Sequence, residues 1–572
     1  MANALASLGT DQTVDVWIAA GTYVPAAAGA PVTSHFALRS GLALYGGFAG
    51  DERSLDERDP VANPTILSGD LAGNDIPHEI GLWLNDAENA RQVVRAIECD
   101  ETARLDGLTI RRGEAVSTTT VVVDRGANVS IEDGSPTIVD CIVENAVSDW
   151  GGAAYVLRGS PRFERCVFRG NRGATTGGGM LIEGDAVLVL RDCRFEANFG
   201  GQGAGLFAGS IGGQAIPGSP SVGVERCEFI ANTGPIGSAS GIGIGTSKAH
   251  LAVVDSRFVN NITVGGGGGA FLSESSAHFV RCDFVGNRAD GDGGGALAAN
   301  GIEAEGHAMV CIDCRFVGNN GVAVAAIEPD NDGMPPVRFA NCTMVANSPQ
   351  RFGWPLLVTT HDGAVLLSGS IVQNHLSVGE PGLAGVFVGF TPNGYVLRRS
   401  LIENWDGSMP GEEVSDLDPM FVDASGADGI AGTEDDDLRL SPGSPAIDQG
   451  DLVARSLAWP SSELETDVAM TLTLDLDELE RFHDDVGTPD QPRSSTPAID
   501  LGAHEFQGES PTRGCAGDLD RDGEVAGSDL AILLGAWGTV GRGAAAADLD
   551  GDGVVGGADL AILLGAWGAC EG

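Results

Sequence analysis

The order Cys-x-Phe-x-x-Asn, followed by glycines, returns along most of this chain. It reads CDFVGNRADGDGGGALAANG at 282–301, CRFEANFGGQGAGLF from Cys193 and, with serine first, SRFVNNITVGGGGGAF from Ser256. A unit this short cannot bury its apolar face alone, so repetition implies stacking. Aligned on the small residue, the units start at Cys141, Cys166, Cys193, Cys227, Ser256, Cys282, Cys314, Cys342, Ser370 and Ser400. Their mean spacing is about 29 residues, a solenoid period. A stack also accounts for a length of 572 residues, more than one globular core normally reaches.

Two residues after each anchor stands an apolar residue: Val143, Phe168, Phe195, Phe229, Phe258, Phe284, Phe316, Met344, Val372 and Ile402. Three before it stands another: Ile138, Phe163, Leu190, Val224, Val253, Phe279, Cys311, Phe339, Leu367 and Leu397. Alternation with period two after the anchor predicts a strand. The three-residue offset before it breaks that phase and predicts a bend or bulge. At plus five comes asparagine: Asn171, Asn198, Asn232, Asn261, Asn287, Asn319 and Asn347. In the units at Cys141, Ser370 and Ser400 it falls at plus four, as Asn145, Asn374 and Asn404. Stacked at strand spacing, about 4.8 Å, these columns become continuous files. We expect an asparagine ladder at a turn that tolerates left-handed backbone, with the glycines permitting a sharp, crowded corner.

The exposed columns alternate in charge. One residue before the anchor they read Asp140, Arg165, Asp192, Arg226, Asp255, Arg281 and Asp313. One residue after it, Arg194, Glu228, Arg257, Asp283 and Arg315 run in the opposite phase. Each exposed pair contributes only about 0.2–1 kcal/mol, but a slip by one coil brings like charges together. The lattice therefore reads as register control. A substrate-binding patch is the rival reading, disfavoured because a mixed-sign lattice has little net field. Cys311 and Cys314 spell C-I-D-C, a spacing used in metal and redox chemistry. Here they fall in the minus-three and anchor columns, which makes both core residues in a file of thiols. Disulfides along such a file are disfavoured, because parallel Cβ directions give poor geometry.

The F-x-x-N motif, as FRGN, FEAN, FIAN, FVNN and FVGN, has glycine-rich partners GGAF at 268–271 and GGAL at 294–297. It resembles the repeats of polymorphic outer-membrane adhesins and is similar to right-handed parallel β-helix proteins of the pectin-lyase-like type. VWIAAGTYVP, FALRSGLALYGGFAG and TILSGDLAGND look like the opening coils of bacterial secreted β-helix proteins. DLRLSPGSPAIDQGD and PAIDLGAHEFQ look like their closing coils. The resemblance covers roughly residues 12–508. It implies an all-β, right-handed parallel β-helix solenoid. Activity stays open, because lyases, hydrolases and adhesins share the scaffold.

DLDRDGEVAGSDLAILLGAWG from Asp518 returns as DLDGDGVVGGADLAILLGAWG from Asp548. Oxygen ligands at positions 1, 3, 5 and 12, a carbonyl at 7 and glycine at 6 match a calcium loop. The candidate ligands of one Ca2+ are Asp518, Asp520, Asp522, the Glu524 carbonyl and Asp529. Those of a second are Asp548, Asp550, Asp552, the Val554 carbonyl and Asp559. Ala526 and Gly556 at position 9 carry no side-chain oxygen, which leaves water to complete each shell. The bland alternative is a solvated acidic turn. LAILLGAW is apolar enough to bury a helix face.

Two such loops 30 residues apart, each followed by one helix, resemble a type I dockerin. That implies a small α-helical, calcium-binding domain of paired EF-hand-like loops, too short to hold without the ion. It also implies a cohesin-like partner. Dockerins often recognise cohesins through hydroxyls at positions 10 and 11. Here those are Gly527, Ser528, Gly557 and Ala558, so a cell-envelope partner is the alternative. Cys515 and Cys570 bracket the module at positions suited to a clasping disulfide, which implies an oxidising compartment.

The formal charge is −47, and Lys248 is the sole lysine. This argues against nucleic acid and anionic membranes as partners, and against polyanionic substrates unless a cation bridges them. Glycine, at 85 residues, is roughly twice its average share, yet 42% hydrophobic content is too high for a disordered chain. No apolar run reaches membrane-spanning length. MANALASLGT has neither the charged nor the apolar region of a secretion signal. Since the C-terminus has an extracellular character, we expect a start that is cut or misplaced.

For catalysis, a β-helix needs paired carboxylates for hydrolysis or calcium plus a basic residue for elimination. The available pairs include Asp290/Asp292, Asp330/Asp332 and Asp484/Asp485. The first two lie in glycine- or proline-rich loops, where acidic turn residues are ordinary. GADGIAGTEDDDLRL at 426–440 is acid-dense enough for calcium, with a solvated loop as the competing reading. Arg351, Trp354 and His361 sit in an insertion suited to stacking on sugar, although Trp354 lies between glycine and proline, as packed turns do. No polygalacturonase-like or pectate-lyase-like signature maps onto these residues.

The expected plan is an N-terminal cap and opening coils over 1–100 and a central β-helix over 101–450. A closing coil and cap follow over 451–509, then the calcium module over 510–572. The expected function is a secreted or cell-surface β-helix for adhesion, carbohydrate binding or scaffolding, attached through its calcium-dependent C-terminal module. The alternative is a polysaccharide lyase or glycoside hydrolase on the same scaffold.

Overall fold

Each repeat closes one coil with three faces. In the coil anchored at Cys193, Met180–Glu183 forms the first strand, Val187–Arg191 and Arg194–Glu196 a bent pair, and Phe199–Gly200 a short third. Successive coils pair in parallel. The bent strands build a 26-stranded sheet, the first strands a 12-stranded sheet, and the short strands two four-stranded sheets. The sequence expected as opening coils joins the same stack: Val14–Ala19 pairs with Leu42–Phe48, and Thr65–Ser68 with Leu108–Arg111. The architecture is an all-β parallel solenoid.

The computed structural model describes residues 13–79, 82–116, 125–209, 216–234, 243–290, 294–300, 309–321, 323–328, 337–349, 357–359, 365–373, 387–389, 395–405, 407, 411–450, 473–481, 499–507, 517, 519, 524–538, 547, 549 and 554–569. They fall into two compact units, one ending at Glu505 and one beginning, apart from a short segment, at Phe506.

The columns hold register rung by rung. Phe168 pairs with Phe195, then Phe229, Phe258, Phe284, Phe316 and Met344 follow in turn. The fully buried phenylalanine rings stack 4.6–5.0 Å apart at interplanar angles of 4–6°. The minus-three file runs in the same way from Ile138 to Phe339. Cys311 and Cys314 are buried members of these two files and both are free thiols. Burial pushes the Cys282 and Cys311 thiols well up. Anchors bond to one another as well. Cys193 Sγ donates to the Arg191 carbonyl at 3.2 Å, and the Cys193 N–H donates to Cys227 Sγ at 3.3 Å.

The predicted bend is a residue in left-handed conformation. Asp140, Arg165, Asp192, Arg226, Asp255, Arg281 and Asp313 all have φ between 49° and 53°. This strained column carries the charge lattice. Arg165 reaches back one coil to Asp140 at 2.7 Å, Arg226 to Asp192 at 2.8 Å and Arg281 to Asp255 at 2.6 Å. In the column after the anchor, Glu228 lies between Arg194 and Arg257, and Asp283 between Arg257 and Arg315, at 2.8–3.6 Å.

The asparagines form the expected ladder from Asn171 to Asn347. Each side-chain amide donates to the next asparagine Oδ1 at 2.9–3.0 Å. The left-handed backbone, however, falls one residue earlier, at Gly170, Ala197, Ala231 and Asn260. A ladder amide must point inward to reach the coils on either side, so the reversal happens just before it. The coil of Cys141 shows why its asparagine sits at plus four. Asn145 takes the left-handed position with φ 55°, and the Ala146 N–H caps the ladder by donating to Asn171 Oδ1 at 3.1 Å. Crowding at the glycine corner is equally concrete: a Cβ on Gly151 (φ 66°) would lie 2.6 Å from the Leu181 Cβ.

The motifs expected as closing coils lie along the flank of the stack instead. Phe421–Asp423 and Asp437–Leu440 pair antiparallel. Leu438 covers Val285, Val317 and Val345, the residues that follow the core positions Phe284, Phe316 and Met344. The Gly502 N–H donates to the Gly369 carbonyl at 2.7 Å, and the Ala503 N–H to Thr343 Oγ1 at 2.9 Å. Arg481, with no exposed surface, lies 3.7 Å from Asp313 and 3.4 Å from Glu505. The alternation calls for an arginine one coil after Asp313, where Asn341 stands; Arg481 supplies that charge from the flank.

Candidate functional site

The C-terminal unit is a duplicated loop and helix. Helix α1 spans Gly527–Gly535 and α2 spans Gly557–Gly565. Leu533 and Leu563 are buried with Val525, Ala547 and Val555, so each LAILLGAW segment gives one face to a shared core. Glu524–Val525 pairs antiparallel with Gly568–Ala569, which ties the first loop to the end of the second helix.

The position-12 aspartates organise both loops. Asp529 is fully buried, and its carboxylate accepts the Leu519 N–H at 2.6 Å and the Ala526 N–H at 2.7 Å. Asp559 repeats this with Leu549 and Gly556, both at 2.6 Å. Each loop is thereby drawn around its own carboxylate. Each of these aspartates stands at position 12 of a loop that also carries aspartate at positions 1, 3 and 5, a donor set that fits a calcium ion. Glu524 and Val554 lie at position 7 of their loops, where the carbonyl is the ligand. Asp518, Asp520, Asp522, Asp548, Asp550 and Asp552 lie outside the described residues, as do Cys515 and Cys570. Chelation is expected to abolish amide protection in Gly527–Gly535 and Gly557–Gly565 while the asparagine-ladder strands stay protected. Hydrogen exchange of the full chain with and without EDTA reads both at once, and protected helices in EDTA would contradict the calcium assignment.

The catalytic candidates fare differently. Asp290 pairs with Arg288. In the 426–440 segment the Asp428 N–H donates to Asp435 and the Gly432 N–H to Asp436, at 3.0 and 2.7 Å. Its carboxylates build their own turns. Asp292, Asp330, Asp332, Asp484, Asp485, Arg351, Trp354 and His361 lie outside the described residues.

One cluster escaped the sequence reading. Arg125 donates to the Tyr155 hydroxyl at 2.7 Å and pairs with the buried Glu183. Trp150 lies beside the same guanidinium, 5.8 Å from ring centre to carbon. Burial pushes the Glu183 carboxyl up, against the pull of Arg125. No motif marks these three residues. They meet only because Tyr155 and Glu183 lie on paired neighbouring strands, Ala154–Leu157 and Met180–Glu183.

Comparison with known proteins agrees with this geometry. Residues 96–319 match the family model described as right handed beta helix region. Residues 516–565 match the dockerin type I domain. Among curated proteins no match is found. Among solved structures the chain is similar to a polygalacturonase from Erwinia carotovora ssp. carotovora, at 11% identity and a TM-score of 0.30, over 72% of this chain and 92% of that one. Likeness at that level says nothing about reaction or substrate.

Proposed function

From a chain that is a right-handed parallel β-helix with a C-terminal type I dockerin domain, we infer an extracellular or cell-surface rod. Its dockerin holds two calcium ions and docks onto a cohesin-like receptor or another envelope protein, and the rod serves adhesion, polysaccharide binding or scaffolding. Type I dockerin domains bind calcium and cohesins. Loops of this kind fill at the calcium concentrations found outside cells.

The observation that carries the reading is a duplicated exposed apolar face. Leu534 and Leu564 are each 51% exposed, and Trp537 and Trp567 are 47% and 49% exposed. Tryptophan is among the residues most enriched at the energetic anchors of protein interfaces. Trp537 and Trp567 also replace what the module lacks, since Ser528 is the sole hydroxyl at the four usual recognition positions. Binding of the full chain to immobilised cohesins of several types should require calcium. Changing Trp537→Ala together with Trp567→Ala should weaken it about 30-fold or more. Absence of binding across the panel, or binding indifferent to both tryptophans, would sink the reading.

The second reading is a polysaccharide lyase or glycoside hydrolase, favoured by the Arg125, Tyr155 and Glu183 cluster beside Trp150. Reducing-sugar and unsaturated-uronate release over a polysaccharide panel, with and without calcium, separates the two. Release abolished by Glu183→Gln would make this the primary reading.

A further inference from the structure

Near the N-terminal end of the stack, three stretches converge. Asp70 and Asp75 lie in the loop after Thr65–Ser68, Glu88 and Asn89 in the loop after Leu82–Leu84, and Glu114 on the strand Glu114–Ala115. Oxygen atoms from Asp70, Asp75 and Glu88 lie within 4.8 Å of one another. Asp70 is already engaged by the N–H groups of Gly73 and Asn74, at 2.6 and 3.1 Å, which curl the loop without neutralising it.

The independent sign of a missing ligand is the state of the buried oxygens. The Asp75 side chain has no exposed surface. Its Oδ2 accepts from Asn89 at 2.9 Å and Arg112 at 3.2 Å, but its Oδ1 has no partner. Asn89 Oδ1, Glu88 Oε1 and Glu114 Oε2 are also buried without a partner. Four orphaned acceptors in one place are exceptional, because buried polar atoms are nearly always satisfied. Charge leans the same way. Asp86 adds a further carboxylate beside Glu114. Arg112 pairs with Asp75 at 3.2 Å and lies over the Trp83 ring, 3.4 Å from its centre.

We propose that Asp70, Asp75 and Glu88, helped by the Asn89 amide oxygen, bind a calcium ion that pins these loops to the coil. An all-oxygen donor set selects a hard cation. Oxygens within 4.8 Å of one another can share one calcium ion at about 2.4 Å from each. The ion supplies the partners that the orphaned oxygens lack and offsets the excess of carboxylates.

The test uses the full chain with the dockerin silenced by Asp529→Asn and Asp559→Asn. Equilibrium dialysis against about 0.1 mM free calcium should still find one ion bound. Adding Asp75→Asn and Glu88→Gln should remove it while the β-sheet circular dichroism is kept. Hydrogen exchange of the dockerin-silenced protein gives a readout that leaves the site untouched: calcium should slow exchange across 69–75 and 85–90 about tenfold or more. A silenced protein that binds no ion, an ion that survives both added substitutions, or loop exchange indifferent to calcium would each overturn the assignment.

Discussion

Replacing Asn232 by alanine lowers the stability of the rod by about 3–5 kcal/mol. Asn232 is fully buried, and its amide donates to the Phe195 carbonyl and to Asn261 Oδ1, each at 2.9 Å. Its Oδ1 accepts both the main-chain N–H and the side-chain amide of Asn198, at 3.1 and 3.0 Å. Alanine strands those groups where water does not reach, and each stranded group costs about 1–3 kcal/mol. Asn232→Asp keeps the acceptor but buries a charge. Its folded-state pKa is then raised, so the damage is full at neutral pH and recedes as the pH falls and the carboxyl neutralises. Denaturant midpoints of both variants between pH 4 and 8, approximately the range over which such a carboxyl titrates, measure this. An Asn232→Ala rod as stable as the parent would remove the ladder from the account.

Arg481→Ala detaches the flank without dissolving the stack. The guanidinium donates to the carbonyls of Asp500 and Gly502 at 2.8 and 2.7 Å and is the counter-charge facing buried Asp313 and Glu505. Removing one member of a buried charged group typically costs about 3–5 kcal/mol. Truncation should therefore expose 416–450 and 499–505 to limited proteolysis while the phenylalanine file stays protected. Asp313→Asn in the Arg481→Ala background should recover part of the loss, because it removes the unbalanced charge. Unchanged proteolysis of the flank would show that Leu438 and its neighbours hold it unaided.

What the sequence revealed follows from what repeats. The phenylalanine, thiol and asparagine files were legible because each coil restates them at one offset, and stacking needs only that agreement. The bend was legible as a broken phase. Its left-handed backbone was not, because the arginines that alternate with aspartate in that column do not favour positive φ. The flank was illegible for the opposite reason: it is a single copy whose partners in the stack lie far away along the chain, as Thr343 does from Ala503. One trace of it was present, the Asn341 that interrupts the alternation. Arg125, Tyr155 and Glu183 likewise meet through pairing of coils and share no motif. In the dockerin, spacing alone marked Asp529 and Asp559, because a loop that wraps an ion must place its oxygens at fixed steps.

The central claim is that residues one repeat apart in sequence are one rung apart in space, whatever the intervening loop length. Cysteine pairs in the outer column after the anchor test it directly, since the native cysteines described are buried. Arg194→Cys with Glu228→Cys spans 34 residues and one rung, about 4.8 Å; Arg194→Cys with Arg257→Cys spans two rungs, about 9.6 Å. A short bifunctional thiol reagent reaching about one strand spacing should join the first pair rapidly and leave the second unjoined. Equal cross-linking of both pairs, or preference for the second, would contradict the stacked register.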